Sequence, residues 1–217
     1  IRRQRQMCIR DSIIVYDFED KVVKSAIKIN KGAANIDFCK ESMTVAYTVG
    51  DNLHIASEKI ADKQVNPDID IEKAACGGND IHDIIYGQAV HRNEFGIYKG
   101  TFWSPEGKYL AFYRMDQSMV TDYPQVNTTT RTATLEPDKY PMAGMTSHKV
   151  TVGIYNPESG KTVYLDAGDP TDRYFTNISW APDEENIYVI EVNRDQNYAQ
   201  LVKYDAETGK KIGVLYE

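Results

Sequence analysis

Cysteine and histidine are scarce in this sequence, with three and four occurrences among its 217 residues. The cysteines, which contain no CxxC pair, are Cys8, Cys39 and Cys76. The histidines, which form no HExxH or other paired spacing, are His54, His82, His91 and His148. This pattern excludes a disulfide framework and a zinc site, so we expect no metal and no cofactor in this chain.

Long apolar runs and an excess of basic charge are also missing. No stretch of about 18 apolar residues occurs, so the sequence predicts no membrane-spanning helix. The 25 lysines and arginines are outnumbered by 32 acidic residues, which gives a formal net charge of −7. Because nucleic acid is bound by clustered basic residues, this balance excludes nucleic acid as a partner. An apolar fraction of 41% still allows a sizeable core.

No nucleophile elbow of the Gly-x-Ser-x-Gly type is present, although this sharp turn exposes the catalytic serine of many hydrolases. Two serine dipeptides, Ser147-His148 and Ser159-Gly160, lie in or beside predicted turns, where a structural role is the simpler interpretation. We therefore expect no catalytic residue in this chain and no peptidase activity from it alone.

The first twelve residues, IRRQRQMCIRDS, differ in character from the rest of the chain. They contain four arginines and show no periodicity, and a strand-like run begins directly after them at Ile13. The segment lacks the apolar centre of a signal peptide. We predict that residues 1–12 are not native to the fold, and that the folded domain covers residues 13–217.

Strand patterns dominate the remainder, and they repeat. Fifteen tyrosines, many β-branched residues and closely spaced turn signals predict an all-β fold. A strand-turn-strand unit with a tryptophan two residues before a proline occurs at Gly100–Tyr113 and again at Asn177–Ile190. A hairpin follows each copy, and a third, shorter hairpin opens the fold at Ile13. The chain is thus predicted to begin in the middle of a repeat.

The repeat length indicates a β-propeller. The turn glycines of the two later hairpins, Gly160 and Gly209, lie 49 residues apart, and a four-stranded blade takes roughly 40–50 residues. The predicted fold is a propeller fragment of about three four-stranded blades. Two closing strands are placed at 13–30, and the blades at about 34–75, 98–167 and 174–216. The middle one of these three blades carries about 28 extra residues, between Asp116 and Ser147.

Residues 76–97 fit no blade, so they predict a short helical or loop insertion. This segment contains Glu94, which follows Arg92 and Asn93 and precedes Phe95-Gly96. Taken alone, such a carboxylate is most simply a solvated residue. Its position in a non-repeating segment makes it the most informative acidic residue of the sequence.

Several motifs together resemble the N-terminal propeller of the dipeptidyl peptidase IV family, in the form found in Bacteroidota. The Trp-Ser-Pro-x-Gly turn occurs in many propellers, whereas the Tyr-Pro-x-Ala-Gly and Arg-x-Gln-Asn motifs are more specific. The resemblance covers about residues 13–217. The motifs are Val90-His-Arg-Asn-Glu94-Phe-Gly, Gly100-Thr-Phe-Trp-Ser-Pro-Glu-Gly-Lys-Tyr-Leu-Ala-Phe, Tyr140-Pro-Met-Ala-Gly144 and Arg194-Asp-Gln-Asn-Tyr198.

The resemblance implies an eight-bladed propeller that caps a separate α/β-hydrolase domain, of the prolyl oligopeptidase type. It also implies a serine-type peptidase that releases X-Pro or X-Ala dipeptides from peptides with a free N-terminus. The propeller would control access to the active site. The implied partners are such peptides, the hydrolase domain and a second copy in a homodimer, and the implied location is the periplasm or the cell surface.

In the resembled family, glutamates on a short helix inserted into the propeller bind the substrate α-ammonium. Glu94 is the residue that matches this role, and Asn93 stands where the family has a second glutamate.

Two alternatives stay open at this stage, because fold alone does not fix function. The chain could belong to a propeller scaffold for protein interactions, or to the cap of another prolyl oligopeptidase relative such as an acylaminoacyl peptidase.

Overall fold

The computed structural model describes residues 11–66 and 83–217. The predicted foreign segment 1–12 lies outside this part except for its last two residues, and Ser12 already belongs to the first strand. Cys8, Cys76 and His82 also lie outside the described residues, as does the predicted blade end near 75. In the described part, 50% of the residues are in strands and 3% in helix, and none of its helices has the length and apolarity needed to cross a membrane.

The first two sheets follow the predicted repeat. The opening hairpin consists of β1 (Ser12–Asp17) and β2 (Val22–Lys28). The next sheet is an antiparallel meander of β3 (Ala34–Cys39), β4 (Thr44–Val49), β5 (Asn52–Ser57) and β6 (Lys63–Gln64). The four-stranded order β3-β4-β5-β6 is that of one propeller blade.

The third sheet has five strands and carries the predicted insertion. In chain order, its strands and the short strands of the insertion are β7 (Ile84–Tyr86), β8 (Thr101–Trp103), β9 (Leu110–Asp116), β10 (Asp122–Tyr123), β11 (Val126–Asn127), β12 (Thr134–Leu135), β13 (Asp138–Lys139), β14 (Lys149–Asn156) and β15 (Lys161–Tyr164). The sheet order is β15-β14-β9-β7, and β8 also pairs with β9. We call residues 117–148 the arm; within it β10 pairs with β13 and β11 with β12.

One prediction about this sheet was wrong. Ile84–Tyr86 was placed outside the blades, but it pairs with β9 along the same edge as β8. Tyr86 lies opposite Arg114 and Thr101 lies opposite Phe112, so β7 and β8 are two halves of one innermost strand. We call the intervening residues 87–100 the inner loop.

The last sheet is a regular four-stranded blade in the predicted place. Its strands are β16 (Arg173–Trp180), β17 (Asn186–Asn193), β18 (Ala199–Asp205) and β19 (Lys211–Tyr216). Exposed apolar side chains concentrate on the first and last sheets, at Ile14, Phe18, Val22, Val23, Ile212, Leu215 and Tyr216 among others. Because neighbouring blades would normally cover such apolar faces, we expect the isolated chain to be poorly soluble or oligomeric.

The core consists of apolar layers between successive sheets. Because side chains alternate along a strand, β9 serves two layers. Leu110 and Phe112 pack toward the second sheet, whereas Ala111 and Tyr113 pack toward the last sheet. A third layer joins the opening hairpin to the second sheet around Ile27 and Tyr47. Each sheet is therefore stabilised mainly by its neighbours, as expected for stacked blades.

The repeated tryptophans connect adjacent sheets in the same way. Trp103 Nε1 donates to the backbone oxygen of Asp37 at 3.1 Å, and Trp180 Nε1 donates to that of Phe102 at 3.0 Å. Asp37 lies opposite Ala46 on β4 and Phe102 lies opposite Ala111 on β9, so each tryptophan donates to the first strand of the preceding sheet near the end of that strand. The Trp-x-Pro pattern thus marks a recurrent hydrogen bond between blades.

We expect Trp180→Phe to destabilise the propeller by about 1–3 kcal/mol, because the oxygen of Phe102 loses its donor. The phenyl ring retains part of the stacking with Tyr109, whose ring centre lies 5.9 Å from that of Trp180. Calorimetry of the full-length protein should show a lower melting temperature for this variant. Tyr98→Phe is the control, since Tyr98 is 81% exposed. Equal melting temperatures of Trp180→Phe and the parent protein would contradict a stabilising role of the hydrogen bond between the blades.

Candidate functional site

The inner loop leaves and rejoins the innermost strand of its blade at one point. Gly87 N donates to Tyr113 O at 2.9 Å, and Tyr113 N donates to Gly100 O at 3.0 Å. A Cβ atom at Gly100 would lie 2.2 Å from the backbone oxygen of Gln88, so only glycine allows the two ends to meet. Innermost strands border the central channel of a propeller, so this loop begins on the channel side of its blade.

The inner loop contains one 3₁₀ segment, His91–Gly96, at the place where a short helical insertion was predicted. Its backbone is not a regular right-handed helix. His91, Arg92, Asn93 and Phe95 have φ values of 52°, 50°, 64° and 54°. Residues with side chains rarely adopt this left-handed region, and they remain there when surrounding contacts hold them.

Aromatic contacts hold the first residue of this segment. His91 is buried, and His148 Nε2 lies 2.8 Å from His91 Nδ1, with the two rings stacked at 4.6 Å. Tyr174, on β16, meets His91 edge-on at 4.7 Å and also contacts Phe95 at 4.8 Å. The inner loop is therefore fixed against both the end of the arm and the last blade.

The two imidazoles are uncharged at neutral pH. Burial, followed by the proximity of His148, lowers the pKa of His91 to about 3. Burial, followed by the charge of Arg92, lowers the pKa of His148 to about 4. Since one ring must donate and the other accept, the pair shares a single N–H in its hydrogen bond. Neither ring brings a positive charge to the site.

A cavity of about 440 Å³ lies between the inner loop, the arm and the start of the last blade. Its volume is in the range of small-molecule sites. Its polar and aromatic lining residues are His91, Arg92, Glu94, Gln117, Asp138, Lys139, Tyr140, Ser147, His148, Tyr174 and Arg194. Its apolar lining residues are Ile85, Ala89, Met115, Pro141, Met142 and Ala143.

Three of the four sequence motifs that carried the resemblance meet in this cavity. Glu94 comes from the inner loop, Tyr140 from the arm and Arg194 from the turn after β17. Ser147 and His148, which the sequence analysis interpreted as structural residues, also line it. The sequence analysis did not identify Arg92, Tyr140, His148 or Arg194 as site residues, although the motifs containing three of them were visible.

The cationic side chains of the cavity already have acidic partners. Arg92 Nη2 lies 3.1 Å from Asp138 Oδ2, and Lys139 Nζ lies 3.1 Å from Asp122 Oδ1. Arg194 Nη1 lies 2.6 Å from Asp172 Oδ1, and its Nη2 donates to Met145 O at 2.6 Å.

Glu94 differs from Asp138, the other acidic residue that lines the cavity. Its side chain is exposed, and within residues 11–66 and 83–217 no lysine, arginine or histidine pairs with its carboxylate. Asn93 is not among the residues that line the cavity. The structure thus brings Glu94, but not Asn93, to the cavity wall.

The site offers little for a metal ion. In the described part of the chain, no three histidine, cysteine, aspartate or glutamate side chains gather closely enough to hold one. Cys39 is a buried free thiol in the second sheet. The polar and charged side chains that line the cavity provide charge pairing and hydrogen bonding.

Antiparallel sheets of four or five strands that stack on one another through apolar layers make this chain a β-propeller domain. Residues 2–216 match the family described as the dipeptidyl peptidase IV (DPP IV) N-terminal region. The chain belongs to this family.

Solved structures and curated relatives agree with this assignment. A candidate dipeptidyl aminopeptidase IV from Bacteroides ovatus is 56% identical over 95% of this chain, with a TM-score of 0.83. Dipeptidyl peptidase 4 of Porphyromonas gingivalis, at 22% identity, shares the fold with a TM-score of 0.71 over 95% of this chain. A candidate dipeptidyl-aminopeptidase B of Phaeosphaeria nodorum is 29% identical over 81% of this chain. The chain spans 27%, 29% and 20% of these three proteins, respectively.

Proposed function

We propose that this chain supplies the amine-binding part of a serine-type dipeptidyl peptidase that releases X-Pro or X-Ala dipeptides from peptide N-termini. The observation that carries the proposal is the Glu94 carboxylate, which faces the cavity without a cationic partner in the described residues. A substrate α-ammonium is the complementary group. A charge-assisted contact of this kind contributes about 1.5–3 kcal/mol.

A fixed carboxylate also explains why such an enzyme removes two residues. Each extended residue spans at most about 3.3–3.6 Å, so a dipeptide places its second carbonyl roughly 7 Å from the held ammonium. A nucleophile at that distance from the ammonium that Glu94 holds would cleave after the second residue only. The serine, aspartate and histidine of this reaction would lie in a hydrolase domain outside these 217 residues.

The same charge argues against an acylaminoacyl peptidase. An acylated N-terminus carries no positive charge, so it would leave the Glu94 carboxylate without a partner. A scaffold function gains no support from the cavity, because protein interaction surfaces do not require a concave site of this size.

The homodimer, and a location in the periplasm or at the cell surface, form part of the proposal on the strength of the family alone.

The activity is tested with the full-length protein and with the 217-residue chain. The full-length protein should release the dipeptide from a Gly-Pro chromogenic substrate, and it should fail on the N-acetylated form. The 217-residue chain should give no turnover above a control without protein, since it lacks a nucleophile elbow. Preference of the full-length protein for the acetylated substrate would contradict the proposal, as would turnover by the short chain.

A further inference from the structure

Arg92, two residues before Glu94, contacts three consecutive residues of the arm. Its Nη2 lies 3.1 Å from Asp138 Oδ2 and donates to Lys139 O at 3.2 Å. Its guanidinium carbon lies 4.3 Å from the centre of the Tyr140 ring, within the range of a cation–π contact. A planar guanidinium that is paired and stacked in this way has a defined position.

The arm fixes the partners of Arg92 independently of the inner loop. Gln125 Nε2 reaches Asp138 Oδ2 at 3.5 Å, and the Tyr140 ring meets the Tyr123 ring at 5.9 Å. Lys139 Nζ donates to Val120 O at 3.2 Å. These contacts lie within the arm, so the arm presents Asp138 and Tyr140 to the inner loop.

The inner loop, in contrast, needs external support. Glu94 itself has φ of −63°, but Asn93 before it and Phe95 after it are both left-handed. Such conformations persist where tertiary contacts over-determine them. On the arm side these contacts are made by Arg92 and by His91, which pairs with His148 at the end of the arm. Loss of the Arg92 contacts would release the backbone next to Glu94.

We propose that the arm is a structural part of the amine site, and that Arg92 is a positioning residue through which Asp138 and Tyr140 hold the Glu94 carboxylate toward the cavity. The inference rests on the proposed role of Glu94. In this proposal the arm, which is an insertion in one blade, influences substrate binding through Arg92. It also accounts for an arginine so close to an amine site, because Asp138 neutralises its charge.

The test is a double-mutant cycle in the full-length protein, with kcat and KM measured on a free-amine X-Pro substrate. We expect Arg92→Ala to raise KM roughly tenfold with little change in kcat, because ammonium binding is loosened. In the Arg92→Ala, Glu94→Gln double variant, kcat/KM should fall no more than about twofold below that of Glu94→Gln alone. Asp138→Asn should reproduce the effect of Arg92→Ala, and Arg92→Lys should restore part of the activity.

Arg131→Ala is the matched control, since Arg131 is an exposed arm residue outside the cavity. Additive losses in the double variant would overturn the inference, because Arg92 would then act on the substrate independently of Glu94. If Glu94→Gln lowers kcat/KM while Arg92→Ala and Asp138→Asn do not, only the positioning role fails. If Glu94→Gln itself has no effect, the proposed amine site fails. Should Arg92→Ala not fold, the Asp138→Asn cycle with Glu94→Gln gives the same decision.

Discussion

Replacing Glu94 with glutamine in the full-length protein is expected to lower kcat/KM for X-Pro substrates by roughly ten- to a hundredfold. The amide keeps the size of the side chain but removes the charge opposite the substrate ammonium. This loss corresponds to about 1.4–2.8 kcal/mol of binding in the transition state. Stability should barely change, because the Glu94 side chain is exposed and makes no ion pair with the described residues.

Two comparisons sharpen this result. Glu158→Gln removes one carboxylate from an exposed turn far along the chain, and it should leave kcat/KM unchanged. Asn93→Ala should cost less than Glu94→Gln, since Asn93 does not line the cavity and offers a neutral side chain. Circular dichroism confirms that each variant is folded. A folded Glu94→Gln variant with full activity would place the amine anchor elsewhere.

Replacing Glu191 with alanine is expected to destabilise the propeller by about 3–5 kcal/mol, the largest stability effect that we predict. Glu191 is 2% exposed and lies on the central strand β17. Its carboxylate pairs with Arg173 and accepts hydrogen bonds from Tyr204 and from Gln200. Without it, a partly buried guanidinium and a buried phenol lose their common partner.

The state of Tyr204 supports this expectation. Burial, and then the hydrogen bond to Glu191, raises the pKa of Tyr204, so its phenol remains the donor at any physiological pH. Glu191→Gln keeps an acceptor for this donor and should cost clearly less than Glu191→Ala. Calorimetry of the full-length protein measures both, with Glu158→Ala as the exposed control. A melting temperature of Glu191→Ala within one degree or so of the parent would refute the role of this network.

Much of the fold could be predicted because its strands repeat. The hairpins that close at Gly160 and Gly209 were visible as alternating strands around a glycine, and both are present as β14–β15 and β18–β19. Ile84–Tyr86 was misplaced because only three residues precede the inner loop. Its partner on the other side of the loop, β8, is contiguous in space but distant in sequence. A periodic sequence pattern cannot reveal that two segments of three residues each belong to the same strand of the sheet.

The candidate site was only partly predictable for a related reason. Glu94 drew attention because it interrupts the repeat, whereas Tyr140 and Arg194 lie in separate segments that only the folded blades bring together. The pairing of Arg92 with Asp138 depends on how the arm folds back on the inner loop. Two-residue strands such as β10 and β13 leave almost no trace in a sequence pattern.

The central claim is that Glu94 holds the substrate ammonium, and a crystal structure of the full-length protein with a bound X-Pro dipeptide tests it most directly. The account predicts that the ammonium nitrogen lies about 2.7–2.9 Å from a Glu94 carboxylate oxygen, the distance of a charge-assisted hydrogen bond. The dipeptide should occupy the cavity between the inner loop and the arm. An ordered dipeptide whose ammonium binds another group, with the Glu94 carboxylate left in solvent, would contradict the account.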